Sequence, residues 1–177
     1  MSDATVYKIV SFFKELIPYV VILIFVLLLK TYVITPIKVN GESMNPTLED
    51  GEIMILDIIS YRLKGLKRFD IVVINQGKEL IIKRVIGLPG ERIKYKDGEL
   101  YINDTKVKDP YTGSNFTEDF ELTIPKDEYY VLGDNRGNSL DSRVFGTFTK
   151  KQVLGKTDFI IYPFKQFGLV KPKEEEE

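Results

Sequence analysis

The chain has one long hydrophobic stretch near its N-terminus and many short alternating stretches after it. Residues 16–29 carry no charged side chain and are apolar on every face of a helix. Extended to residue 34, the run is about long enough to cross a hydrocarbon core of ~30 Å. Tyr19 and Tyr32 lie near its two ends, where interfacial aromatic residues are common. The pattern predicts a transmembrane helix over residues 16–35, after a short segment at 1–15.

Two other interpretations of this stretch remain open. A helix buried in a protein core would also be apolar, but it would need a larger domain to surround it on every face. A cleaved secretory signal would need a small-x-small site after the run, and residues 30–36 contain none. An uncleaved anchor therefore agrees best with the sequence. Lysines flank both ends of the run, so charge does not determine its orientation.

After the anchor, the pattern changes to short apolar or alternating runs separated by Gly, Pro, Asn and Asp. Such runs favour antiparallel sheets over strand–helix–strand units. Asp97 and Gly98 predict a two-residue hairpin turn of type I′. Residues 109–127 are predicted to form an irregular loop, and a short helix is expected near 149–154. The predicted strands are 53–56, 70–74, 80–86, 92–95, 99–102, 129–132 and 158–162.

Composition narrows the possible chemistry more than it narrows the fold. Of the 177 residues, 44% are apolar and 29% are charged, which allows a folded core. The net charge of −1 indicates no nucleic-acid partner. The chain has no histidine and no cysteine, which excludes a Ser-His-Asp triad, a cysteine nucleophile, disulfides and His/Cys zinc sites. A general base would have to be Lys, Asp, Glu, Tyr or the N-terminal amine. Residues 171–177 form an acidic tail, typical of a solvated end.

The first candidate for chemistry is Ser43, which lies a few residues after the anchor. Gly41 and Pro46 bracket it and favour a tight turn. Such a turn can expose a hydroxyl group and direct backbone N–H groups at one point. A plain turn that happens to contain a serine is the alternative.

The second candidate is Lys83, within the predicted strand 80–86. Side chains alternate along a strand, so Lys83 and Arg84 point to opposite faces and at least one cation faces the apolar side. Burial lowers the pKa of a lysine. An ordinary lysine is neutral in only about one molecule in 2,500 at pH 7. A buried, neutral amine can take a proton from a serine. A solvated lysine on an edge strand is the alternative.

The third candidate is the polar segment 133–143, which follows an apolar strand. Asp141 and Arg143 are two residues apart and can brace a loop through a charge-assisted hydrogen bond. Asp134, Asn138 and Asp141 could suggest a calcium loop, but the spacing of an EF-hand and its terminal Glu are absent. We therefore expect no metal in this segment.

Taken in order, residues 43–47, 83–91 and 133–143 resemble the boxes of the bacterial type I signal peptidases. The anchor before the serine and the strand 70–73 resemble that family as well. The resemblance extends from the anchor to about Tyr162. A single span and a compact domain are more similar to the Gram-positive form than to the longer Gram-negative form.

The resemblance implies a mainly β fold, an antiparallel β-rich catalytic domain at 36–170 after one N-terminal transmembrane helix. Residues 1–15 would lie in the cytoplasm and the catalytic domain on the outer side of the cytoplasmic membrane. The implied activity is that of a serine endopeptidase with a Ser-Lys dyad. It would remove signal peptides from secreted preproteins after small-x-small sites. Its partners would be signal peptides and the lipid bilayer, with no nucleic acid, metal or cofactor.

The resemblance also implies a role for individual residues. Ser43 would be the nucleophile and its backbone N–H an oxyanion donor, with Lys83 as the general base. Ser139 would orient the lysine, and Asp141 and Arg143 would form a supporting ion pair. The sequence departs from some members in one respect, because Gly41 stands where they have a serine that donates to the oxyanion.

Three apolar residues near this dyad are candidates for the substrate pockets. Ile37, Val39 and Ile82 could wall shallow pockets for small side chains, or they could simply pack in the core or face the membrane. Three other functions also remain open at this point: a self-cleaving repressor-type protease, a membrane-anchored β domain without catalysis, and a specialised paralogue with few substrates.

Overall fold

The computed structural model describes residues 3–32, 35–111 and 117–170, with the side chains of residues 11–27 in the first of these ranges. It divides into two compact units, Met1–Thr35 and Pro36–Glu177. The acidic tail at 171–177 and the middle of the predicted loop, 112–116, lie outside the described residues.

The described part of the first unit consists mainly of one helix, α1 (Asp3–Tyr32), with Pro18 inside it. Its large apolar side chains between Phe12 and Leu27 are all exposed. In the part of the chain that the structure describes, no helix contains a stretch both long enough and apolar enough to count as a membrane span. The transmembrane span over 16–35 therefore stays a prediction.

The second unit is built from two antiparallel sheets. The strands of the larger sheet are β1 (Thr35–Lys38), β2 (Ile53–Asp57), β3 (Ile71–Asn75), β4 (Leu80–Gly87), β9 (Glu128–Leu132), β10 (Phe148–Thr149), β11 (Val153–Tyr162) and β12 (Gly168–Leu169). Those of the smaller sheet are β5 (Arg92–Lys96), β6 (Glu99–Ile102), β7 (Thr105–Val107) and β8 (Phe120–Thr123). The larger sheet has the strand order β1-β2-β11-β3-β4-β9-β10, with β12 paired to β11, and the smaller has the order β7-β6-β5-β8. This agrees with the predicted mainly β, antiparallel class.

Local patterns account for most of these strands. Each predicted strand is found, and β2 alternates between buried and half-buried positions along its length, as the alternating sequence requires. Asp97 and Gly98 both have positive φ, 53° and 78°, between paired Lys96 and Glu99. These are the angles that a two-residue type I′ turn needs, so the predicted hairpin is present.

The predicted helix near 149–154 is wrong. Phe148–Thr149 form β10, a tight turn follows, and β11 begins at Val153. The turn is closed by the Gln152 side chain, which accepts from the Thr149 N–H at 2.9 Å. Because tertiary pairing with β9 and β3 satisfies this backbone, the segment has no need of helical hydrogen bonds.

The helices of the second unit lie elsewhere. They are α2 (Ile58–Lys64) and α3 (Ser142–Phe145), and a 3₁₀ turn spans Phe164–Gln166. Asp57 and Asp141 cap the two α-helices by accepting from backbone N–H groups of the first turn. The predicted loop 109–127 is only partly irregular, since β8 lies within it and pairs with β5.

Two parts of the core determine where the functional segments lie. One cluster contains Val39, Met44, Leu48 and Ile82, so it joins the turn around Ser43 to strand β4. A second cluster packs residues of the smaller sheet, such as Tyr95, against β4 and β9. The burial of apolar side chains thus fixes both the serine turn and the smaller sheet to the same strand.

Candidate active site

The serine turn is held in place from both sides of Ser43. Met44 and Leu48 anchor it in the core, being 1% and 0% exposed. Gly41 has φ of +83°, which a residue with a side chain rarely adopts, and its N–H donates to Asp50 Oδ1 at 2.7 Å. Ser43 itself is only half buried. The tight turn that Gly41 and Pro46 favour is therefore present, and buried residues anchor it next to a half-buried hydroxyl group.

Lys83 lies on β4 with its amine against this hydroxyl. Nζ of Lys83 donates to Oγ of Ser43 at 2.6 Å. The residue is 3% exposed. Burial lowers the pKa of Lys83 from 10.5 to about 8, although the carboxylates of Asp141 and Asp134 act to raise it. A substantial fraction of Lys83 is thus neutral near pH 8, and a neutral amine accepts a proton.

The third segment lies directly behind the serine turn. The N–H of Asn135 donates to the Ser43 carbonyl at 3.1 Å, and Asn135 Nδ2 donates to the Glu42 carbonyl at 3.2 Å. Gly133 makes this approach possible. A Cβ atom at that position would lie 2.4 Å from the Ser43 carbonyl oxygen and 2.2 Å from Ser139 Oγ. Only glycine fits between the two serines.

Asp141 and Arg143 form the ion pair that their spacing predicted. Arg143 Nη2 donates to Asp141 Oδ2 at 2.8 Å, and the N–H of Gly133 donates to the same oxygen at 3.0 Å. Burial acts to raise the pKa of Asp141, but these hydrogen bonds outweigh it and leave that pKa lowered. Asp141 therefore keeps its negative charge more readily than an ordinary aspartate, and it braces the loop.

Ser139 lies beside Ser43 and Lys83 but makes no hydrogen bond to either of them. Its Oγ is buried and makes no hydrogen bond to any part of the chain that the structure describes. The hydroxyl still helps to lower the pKa of Asp141, so it lies near that carboxylate although not in hydrogen-bond geometry. Its predicted role of orienting Lys83 stays a prediction.

A second buried ion pair, between Arg84 and Asp134, supports the site. The sequence did not indicate that these two residues pair. Arg84 Nη2 and Asp134 Oδ2 are 2.6 Å apart, with side chains 3% and 1% exposed. The sequence places Arg84 on the strand face opposite Lys83, and it suggests Asp134 only as a possible calcium ligand. The sequence feature that could have predicted this pair is the second cation in the apolar strand β4, because a buried guanidinium requires a buried carboxylate. Lys83 and Arg84 are consequently both buried, on opposite faces of β4.

Two grooves meet at the dyad. The first, of about 580 Å³, runs between β1 and the beginning of β4, and Ile37, Val39 and Ile82 all line it. The second, of about 450 Å³, runs between the serine turn and the loop that contains Ser139. Ser43 and Lys83 line both grooves. An extended peptide lying in the two grooves would therefore cross the serine hydroxyl.

Among the residues that the structure describes, no strand pairs with one edge of β4 along the first groove. Strand β3 pairs with β4 from Leu80 to Arg84, but β9 pairs with it only from Arg84 onward. The backbone of the first half of β4 is thus available on the groove side, where an extended peptide can add as a further strand. A serine with a lysine base beside such an edge can carry out acyl transfer on a peptide bond.

Comparison with known proteins indicates a peptidase. Residues 12–162 match the family model for signal peptidase, peptidase S26. The chain is 38% identical over 164 residues to a signal peptidase I of Bacillus amyloliquefaciens, covering 86% of this chain and 89% of that protein. It is 36% identical over 178 residues to signal peptidase IB of Staphylococcus aureus, covering 87% and 93%.

A solved structure is similar as well. The crystal structure of a signal peptidase I from Enterococcus faecalis V583 matches with a TM-score of 0.50 and 38% identity, covering 52% of this chain and 97% of that one. The chain therefore belongs to the signal peptidase family, peptidase S26. It is a serine endopeptidase of the signal peptidase I type.

Proposed function

We propose that the chain removes signal peptides from secreted preproteins through a dyad of Ser43 and Lys83, while anchored in the cytoplasmic membrane by α1. The observation that carries this proposal is the 2.6 Å contact between Lys83 Nζ and Ser43 Oγ, at the point where two grooves meet. The absence of histidine supports it, since the serine then needs another general base and the amine of Lys83 contacts its hydroxyl.

The proposed reaction has two halves. Neutral Lys83 takes the proton of Ser43 as Oγ attacks the scissile carbonyl carbon, and a tetrahedral oxyanion forms. The carbon–nitrogen bond then breaks, Lys83 gives its proton to the leaving amine, and an acyl-enzyme remains on Ser43. Lys83 next takes a proton from water as the water oxygen attacks the ester carbon. The bond between that carbon and Oγ then breaks, Lys83 returns the proton to Oγ, and the signal peptide leaves with a free carboxyl end.

The oxyanion is assigned to the backbone N–H of Ser43. Gly41 offers no side chain, and its own N–H is already bonded to Asp50. Removing one oxyanion donor costs on the order of 3 kcal/mol in enzymes that use it. This site relies on backbone groups or water for that stabilisation.

The signal peptide is assigned to the groove between β1 and β4, with its last residue at Ser43. Ile37 is half buried, and Val39 and Ile82 are 2% and 8% exposed, so they present low apolar walls rather than deep cavities. Walls of this kind accept small side chains and exclude large ones, which agrees with small-x-small specificity. The same residues also pack in the core, so the two interpretations of them are compatible. The mature chain would leave along the second groove.

Membrane anchoring rests on the uncharged run 16–29 and on the resemblance to signal peptidases. The exposed apolar side chains of α1 support it, because exposed apolar residues of a helix need an apolar environment. In the proposed topology, residues 1–15 are cytoplasmic and 36–170 face the outer side.

The proposal is tested by cleavage of a preprotein with a small-x-small site, in detergent. Wild type should cut once, after the second small residue, while Ser43→Ala and Lys83→Ala should be inactive. Thr47→Ala serves as a control on the same turn, because it removes a hydroxyl that has no assigned role. Cleavage by Ser43→Ala or Lys83→Ala at the wild-type rate would refute the dyad. Cleavage of the chain only within itself would favour a repressor-type protease.

A further inference from the structure

The loop that carries Ser139 is attached to the smaller sheet through one buried arginine, Arg136. Its side chain is fully buried, and Nη2 donates to Asp109 Oδ2 at 2.7 Å. Nη1 donates to the hydroxyl of Tyr95 at 2.9 Å and to Thr117 Oγ1 at 3.1 Å. These three partners come from β5 and from the described ends of the predicted loop 109–127. A segment that sequence analysis left without a role thus contacts the active-site loop.

Arg136 transmits this attachment to the residues around the dyad. Its Nε donates to the carbonyl of Gly133 at 3.0 Å, and its own carbonyl accepts from Arg143 Nη1 at 2.7 Å. Gly133 is the residue that fits between the two serines, and Arg143 holds Asp141. A displacement of Arg136 would therefore move both ends of the loop behind Ser43.

We call the segment of Asp109, Pro110 and Tyr111 the 109–111 strap. It also contacts Arg84, the other buried arginine near the dyad. The ring of Tyr111 lies over the Arg84 guanidinium, with Cζ 3.3 Å from the ring centroid. The Tyr111 N–H donates to Asp109 Oδ1 at 3.0 Å, so the two contacts are coupled within one turn. The strap thus holds Arg84 through an aromatic face and Arg136 through a carboxylate.

Asp109 is the centre of this arrangement. Its side chain is 3% exposed, and Oδ2 accepts from Arg136 and also from the hydroxyl of Tyr95. Burial raises the pKa of Tyr95 far above its ordinary value, so its hydroxyl keeps its proton and donates. Without the carboxylate, the buried guanidinium of Arg136 would lack its compensating charge and would shift toward another acceptor or solvent.

We propose that Asp109 is a positioning residue for the catalytic dyad: its carboxylate holds Arg136, and through Arg136 it keeps the loop from Gly133 to Arg143 packed against Ser43 and Lys83. This inference rests on the proposed function for the identity of the dyad. Asp109 lines neither groove, so it acts on the alignment of the reacting groups and not on substrate binding.

The test compares Asp109→Asn with Asp104→Asn in the full chain in detergent. Both changes remove one carboxylate from the smaller sheet or its loop, but Asp104 is 74% exposed and pairs with Arg92. Tyr95→Phe is the second variant, because it removes only the hydroxyl and leaves the ring in the core. Thermal unfolding measures whether each variant is folded, and Asp109→Glu tests whether a carboxylate of different length restores activity in part.

Two measurements separate positioning from a loss of stability. The first is cleavage kinetics: kcat should fall by about one to two orders of magnitude in Asp109→Asn while KM changes little, since small misplacements of reacting groups have effects of that size. The second is the titration of Lys83 by NMR of lysine labelled at Cε, with its signal identified by its absence in Lys83→Met. This titration needs no substrate.

The groups that face Lys83 set the direction of its change. They are Asp141, Asp134 and Arg143, and burial is the largest influence. When the loop moves away, solvent reaches the amine and the Lys83 midpoint rises from about 8 toward 10.5. Tyr95→Phe should give a smaller change of the same sign, and Asp104→Asn should match wild type.

A folded Asp109→Asn with wild-type kcat, or with a Lys83 midpoint that stays in place or falls, overturns the proposal. The titration also separates this proposal from the proposed function. If the wild type cleaves no signal peptide but the midpoint rises in Asp109→Asn, the function is refuted and the positioning role stands.

Discussion

The burial of Lys83 allows a quantitative prediction of how the cleavage rate depends on pH. With a pKa of about 8, this lysine is neutral in about 9% of molecules at pH 7, against about one in 3,000 for a pKa of 10.5. The fraction that can act as a base is therefore about 300-fold larger than for an exposed lysine. Because burial disfavours the charged form, the position of Lys83 on β4 supplies this gain without any other base.

The pH profile of kcat/KM reports the ionisation of the free enzyme. Below pH 7 the rate should fall about tenfold per pH unit, since almost all Lys83 is then protonated. Between pH 7 and 8 it should rise about fivefold, and above pH 8 it should rise less than twofold. The measurement is cleavage of an internally quenched signal peptide in detergent, in buffers of constant ionic strength.

Two results would refute this reasoning. A profile that is flat from pH 6 to 8 would mean that Lys83 is not the base. A profile that keeps rising to pH 10 would mean that Lys83 is solvated and has its ordinary pKa. Lys38→Gln is a suitable control because Lys38 lines the same groove but is exposed, and its removal should leave the midpoint unchanged.

Three further predictions concern the surroundings of the dyad. Asp141→Asn should move the midpoint of the pH profile below 8, because Asp141 raises the pKa of Lys83; an upward shift would contradict this. Gly133→Ala should reduce kcat by about 10²-fold, because its Cβ would lie 2.4 Å from the Ser43 carbonyl oxygen; wild-type kinetics would contradict the close approach. Lys83→Met should abolish cleavage yet raise the free energy of unfolding by up to about 3 kcal/mol at pH 7, measured by denaturant titration.

The direction in which Lys83→Met changes the free energy of unfolding follows from the coupling between proton binding and folding. The folded-state pKa of Lys83, about 8, lies below its ordinary value of 10.5. The unfolded chain therefore binds this proton more tightly, and wild-type stability is lowered fully below pH 8. The loss diminishes as pH rises from 8 to 10.5, so the advantage of Lys83→Met should disappear over that range. An advantage that is independent of pH would indicate better packing as its cause.

Much of the fold could be predicted from local patterns. Strands such as β4 follow from short apolar runs, and the hairpin at Asp97 and Gly98 follows from backbone preferences of two residues. The predicted helix near 149–154 failed because pairing with β9 and β3 determines that segment, and such pairing joins residues far apart in sequence. β8 was missed for the same reason, since it lies in a polar region and exists through its register with β5.

The sequence by itself determined which chemistry is available. Without histidine or cysteine, a peptidase must use another base, and Lys83 in an apolar strand was the residue that burial could activate. The spacing of Asp141 and Arg143 also indicated their ion pair, because two residues so close can meet without knowledge of the fold. These inferences depend only on residue types and on neighbours close in sequence, so they need no knowledge of the fold.

Only the tertiary structure decided which distant groups meet. The 2.6 Å contact joins residues that are 40 positions apart, and the bond between Asp109 and Arg136 joins residues that are 27 apart. Such contacts depend on how the two sheets pack, since burial of their apolar faces brings β4, the serine turn and the smaller sheet together. The sequence determines which reactive side chains the protein has. The contact between Ser43 and Lys83 and the lowered pKa of Lys83 arise from the residues packed around them.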